Sequence, residues 1–103
     1  MSAELLKEYK DATDNFLAAA RVIPANKLYI APAQDDWSAA NIIHHLADSE
    51  AQSYARLRRL IAEPGSIIQG YDEGLWAENP TLGYRTRDTA TSIAVFAAVR
   101  RSS

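Results

Sequence analysis

His44 and His45 are the only imidazoles in 103 residues, and the chain has no cysteine. Any metal site, acid–base step or nucleophile must therefore come from these two rings and from carboxylates, since thiolate chemistry and Cys-based zinc sites are excluded. Asp48 and Gln52 follow His45 by three and seven residues, a spacing that places all three on one helix face. A carboxylate so placed can orient the imidazole or join a weak metal site. The plainer alternative is a hydrated polar stripe, which is the reading for Gln52 and an open one for Asp48. Periodicity does not choose between the histidines, because each lies about sixty degrees beyond opposite edges of the helix's apolar arc. On residue type alone both are expected to be partly exposed side chains that ligate nothing.

The elements that must position these groups are helices. Leu5, Tyr9, Ala12, Phe16, Leu17, Ala20 and Ile23 recur at spacings of three and four, which predicts a helix over 3–22. Ser2 is its expected N-cap and Pro24 its stop. Residues 24–37 read as a connection with an irregular turn near Leu28 to Ile30. Ser38 can cap the next helix, with Trp37 and Ile42 forming a hydrophobic staple. That second helix should run to about Ala62, with Ile42, Ile43, Leu46, Tyr54, Leu57, Leu60 and Ile61 on its apolar arc, until Glu63-Pro64-Gly65 stops it. Glu50 is expected to face inward, where it would need Arg56, a tyrosine hydroxyl or a backbone amide. Residues 64–86 hold all four glycines and the aromatics Tyr71, Trp76 and Tyr84. They predict a packed crossover with a short helix near Glu73 to Ala77. The last helix, about 88–101, carries Ile93 to Val99, apolar on every side, and needs neighbours all round.

Eleven basic against thirteen acidic residues leave a net charge of −2, so no field exists to hold a phosphate backbone, and a nucleic-acid partner is not expected. Arg56, Arg58 and Arg59 read as a solvated helix face. Ile93 to Val99 is the longest apolar run and is far too short to span a bilayer, while the first ten residues lack an apolar signal core. A single cytoplasmic domain over 1–103, with no membrane partner, is the expectation.

The segment Trp37-Ser38-Ala39-Ala40-Asn41-Ile42-Ile43-His44-His45-Leu46-Ala47-Asp48-Ser49-Glu50 resembles the W-S-x-x-[E/N]-[I/V]-[L/I]-x-H-L-x-D-x-E stretch of the DinB/YfiT-like superfamily. The run at 56–65 and Tyr71-Asp72-Glu73 with Trp76-Ala77 resemble that family's second-helix exit and crossover loop. The resemblance covers about residues 1–101. It implies an all-α fold, here three main helices of a DinB-like bundle joined by a long crossover. It further implies a divalent metal, commonly zinc or nickel, held by three histidines: one on the second helix and an H-x-x-x-H pair on the fourth. The activities it implies are metal-dependent hydrolysis or transfer of a small thiol.

By that resemblance His45 matches the second-helix metal ligand, Asp48 is a weaker metal candidate, and His44 falls where the pattern is free. The H-x-x-x-H pair has no counterpart in these residues. Tyr71, Asp72 and Trp76 become candidates to line a pocket over the His45 end of the bundle, their alternative role being to pin the loop. Three readings follow. In the first, the metal centre is lost or reduced and the fold associates through its open helical face, most simply as a homodimer. In the second, His45 from each of two chains, with Asp48 or another carboxylate, builds a shared enzymatic site. In the third, the chain is a shortened form whose longer relatives carry the activity. No substrate is indicated by any of them.

Overall fold

The computed structural model describes residues 3–33, 36–67 and 69–102. Among these described residues four α-helices follow in order: α1 (Ala3–Arg21), α2 (Ala39–Ala62), the short α3 (Glu73–Glu78) and α4 (Thr89–Ser102). No strand occurs among the described residues, and the fold is all-α. The turn after Pro24 is a 3-10 turn at Ala25–Lys27, earlier than Leu28 to Ile30. The N-cap assigned to Ser2 lies outside the described residues.

α2 starts where its cap chemistry dictates. Ser38 Oγ accepts the Asn41 backbone N–H at 3.2 Å while its hydroxyl donates to Asn41 Oδ1 at 3.0 Å. Such a cap contributes about 1 kcal/mol. The Ala40 amide, also free of an intrahelical partner, donates to the Leu28 carbonyl at 2.7 Å, which ties the preceding connection to the helix. Trp37 takes a different course from the expected staple. Its ring lies against His45 and Tyr84, and Ile42 stays 45% exposed.

Of the predicted apolar arc of α2 only Ile43 is buried. Ala40, Asn41, His44 and Ala47 are buried beside it in the first half of the helix, whereas Ile42, Leu57 and Ile61 of the arc are exposed. The reason is the reach of α4, whose fourteen residues cover only part of the twenty-four in α2. Phe96 of α4 is buried and meets Phe16 of α1 at 4.6 Å between ring centres. Val95 on the same helix remains substantially exposed.

Two cross-links define the helix directions. His44 of α2 bonds Ser92 of α4, and six residues later Glu50 bonds Arg100, eight residues further along α4. Advancing together, α2 and α4 are parallel, and parallel neighbours need a crossover rather than a tight turn. The crossover is the 63–88 segment containing α3. In contrast, Arg100 reaches Thr13 while Phe96 meets Phe16, so α1 runs antiparallel to α4.

Glu50 therefore finds its partner on α4, not in Arg56 or a tyrosine. Its Oε1 lies 2.8 Å from Arg100 Nη2, with both side chains largely withdrawn from solvent. Arg100 also donates to Thr13 Oγ1 at 3.2 Å and stacks its guanidinium over Tyr9 at 4.1 Å. One cation thus joins three helices. The 63–88 crossover is pinned as well: Gly83 adopts φ +67, and its carbonyl accepts the amides of Thr86 and Arg87. Only glycine takes that backbone conformation without strain.

The assembled helices leave much surface open. The accessible area is 7329 Å², against ~5,800 Å² for a typical monomer of this mass. The radius of gyration, 15.2 Å, exceeds the ~13 Å of a compact chain of this length. Leu57, Ile61, Ile67 and Leu75 are all more than half exposed. No helix among the described residues is long and apolar enough to cross a membrane.

Candidate functional site

The two histidines have opposite environments. His44 is 3% exposed, which corrects the expectation of a partly exposed ring. Its Nε2 lies 3.0 Å from the Arg87 carbonyl and its Nδ1 2.7 Å from Ser92 Oγ. A carbonyl can only accept, so Nε2 carries a proton, and Nδ1 pairs with the Ser92 hydroxyl. Both nitrogens are thereby committed to holding α4 and the 63–88 crossover onto α2. The Arg87 carbonyl also accepts the Tyr29 hydroxyl at 2.6 Å, so it fixes the 22–38 connection to the same point.

His45, one residue on, turns out of this layer. Its side chain is 18% exposed, and Nε2 faces Glu73 Oε2 of α3 at 4.0 Å. Nδ1 is buried without a hydrogen-bond partner among the described residues. The edge of Trp37 closes one side at 5.0 Å between ring centres. An imidazole with a buried orphan nitrogen and a carboxylate before the other is a ligand-like environment. Glu73 lies in the family-like run Tyr71-Asp72-Glu73, and only the packing of α3 against α2 brings it to His45.

Asp48 does not orient His45. Its Oδ2 accepts the Tyr84 hydroxyl at 2.5 Å. Tyr84 is 2% exposed and lies between His44 and Trp37. Burial first, and the Asp48 carboxylate second, push the Tyr84 phenol well above its ordinary value. Among the described residues no group of three or more His, Asp or Glu is arranged to hold a metal ion. The donor pair His45 and Glu73 falls short of the three protein ligands of an open zinc site.

Tyr71, Asp72 and Trp76 lie farther along. Tyr71 bonds Ser49 of α2 at 2.6 Å and packs against Trp76 at 4.7 Å. Asp72 is the N-cap of α3, accepting the Leu75 amide at 3.1 Å. All three line an open groove of about 760 Å³ with Gln52, Arg56 and Arg59, and His45 is not among its lining residues. The groove therefore flanks the second half of α2 instead of covering the His45 end. Gln52, read as part of a hydrated stripe, forms part of its floor.

The sequence matches the family model of the DinB superfamily over residues 8–103. The chain belongs to the DinB superfamily. Among curated relatives of this DinB-superfamily chain, "Putative metal-dependent hydrolase OB0782" of Oceanobacillus iheyensis is 48% identical over 42 residues, which are 41% of this chain and 24% of that protein. "Putative metal-dependent hydrolase YfiT" of Bacillus subtilis is 36% identical over 59 residues, 57% of this chain and 32% of that one. The solved structure of YfiT, described as "a probable metal-dependent hydrolase with an unusual four-helix bundle topology", superposes with a TM-score of 0.79 at 24% identity. The match covers 99% of this DinB-superfamily chain and 59% of YfiT, so the chain spans less than two thirds of the length of these relatives. The fold is shared; the parallel α2–α4 pair and its crossover are this chain's form of it.

Proposed function

We propose that these 103 residues form a DinB-type helical scaffold whose metal position is incomplete within one chain, and that the chain is non-catalytic as a monomer and associates through its uncovered helical surface. The observation that carries this reading is the commitment of both His44 nitrogens to Arg87 and Ser92. It leaves one imidazole, His45, where an open catalytic zinc or nickel centre takes three protein ligands. Association as a homodimer is supported by the excess accessible surface and by the exposed Leu57 and Ile61, one turn apart on α2, since exposed apolar surface of that kind marks interfaces.

A second reading has its own support. His45 keeps one ring nitrogen unpartnered and the other before Glu73. Two such pairs brought together across a two-fold axis would supply four donors, enough for a shared hydrolytic or thiol-transferring centre. Elemental analysis of tag-free protein, with sedimentation on the same sample, separates the two. Metal well below about half an equivalent per chain supports the scaffold. Half an equivalent that appears only in dimers and vanishes in His45→Ala supports the shared centre.

A further inference from the structure

The groove beside the second half of α2 has a polar composition that the metal reading does not use. Arg56 and Arg59 sit one helical turn apart along it, and Asp72 is the single carboxylate in its lining. Asp72 Oδ1 is already engaged by the Leu75 amide, and Arg59 has only a loose, exposed contact with Glu63 at 3.8 Å. Arg56 is the residue out of balance: its Nε is buried with no hydrogen-bond partner among the described residues. A cationic donor withdrawn from water and left unpaired is costly, and an oxyanion is the group that matches a guanidinium fork. Arg58, by contrast, turns away and lies over Tyr54 at 5.5 Å.

The remaining walls fix the other half of a ligand. Trp76 and Tyr71 pack together at 4.7 Å and present aromatic surface to the same space. A volume of about 760 Å³ falls within the range of small-molecule sites. We propose that this groove binds a small molecule bearing a carboxylate or phosphate on a flat apolar body, with Arg56 holding the oxyanion, Arg59 adding charge, and the paired rings of Trp76 and Tyr71 forming an aromatic wall for the body. The site is independent of His45, and its test does not depend on metal content.

Calorimetric titration of the 103-residue chain with phenyl phosphate, benzoate, inorganic phosphate and benzyl alcohol tests the assignment. Phenyl phosphate or benzoate should bind saturably, and whichever is tighter identifies the oxyanion. Benzyl alcohol, lacking charge, and inorganic phosphate, lacking the ring, should each bind about tenfold or more weakly. Arg56→Gln should weaken the aromatic anion by about tenfold, while Arg58→Gln leaves it within about twofold. If Arg56→Gln loses its helical circular dichroism, the exposed Arg59→Gln serves instead, with an expected loss of about threefold. The proposal is overturned if neither aromatic anion saturates by about 10 mM, if benzyl alcohol binds equally well, or if a folded groove-arginine variant binds as the wild type does.

Discussion

Neighbouring histidines with the same side chain perform different work because one helical step rotates them by about 100 degrees. His44 turns into the layer between α2 and α4, and His45 turns toward α3. Replacing His44 with alanine removes two hydrogen bonds and leaves a cavity in a buried layer, so it should destabilise the fold by about 2–4 kcal/mol in urea unfolding. His45→Ala should cost less than about 1 kcal/mol. Equal effects of the two substitutions would contradict the assignment of roles. Tyr84 offers a second test. Its phenol ionises above the ordinary value of 10.0 in the fold, so the folded state keeps a proton that the unfolded state releases. The stability this contributes is complete below about pH 10 and declines as pH rises beyond it. Tyr84→Phe should abolish the most alkaline step in a phenolate absorbance titration. The histidine motif and the resemblance it carries were legible in the sequence. Which histidine is buried was not, because both flank the apolar arc and the decision rests on the position of Arg87 and Ser92, more than forty residues away.

Helix identity followed from local chemistry, and helix pairing did not. Ser38 at the start of α2, Pro64 just past its end and the spacing of apolar residues place α2 within one residue of its observed span. The short helix expected near Glu73 to Ala77 is α3, and the structure adds Asp72 as its N-cap. The partner of Glu50 was not readable, because Arg56 lies close in sequence while Arg100 is brought near only by the parallel packing of α4. That pairing carries a prediction. Glu50→Gln and Arg100→Met should each destabilise the chain by about 1–3 kcal/mol. A double-mutant cycle should show coupling of at least about 0.5 kcal/mol. Additive effects would mean that the ion pair does not hold α4 to α2. Substitution of Phe96 by alanine should cost about 3–5 kcal/mol, since it meets Phe16 at the α1–α4 contact.

At the scale of the whole molecule, the all-apolar Ile93 to Val99 stretch was expected to need more neighbours than three helices supply. In the fold Phe96 is covered, while Val95 and the second half of α2 present apolar side chains to solvent. How such surface is covered depends on assembly, which a single chain's sequence does not encode in any local pattern. Sedimentation at micromolar to hundred-micromolar concentration should show reversible association, and Leu57→Lys with Ile61→Lys should shift it toward monomer without loss of helix content. A fully helical monomer throughout that range would refute association. The DinB-superfamily fold does not by itself confer chemistry, which depends on how many donors converge on one point. The most direct measurement is therefore the zinc and nickel content of the metal-saturated, desalted 103-residue chain, determined separately on monomer and dimer fractions. Monomers are expected to retain no metal. One tightly held equivalent on the isolated monomer would contradict an incomplete site.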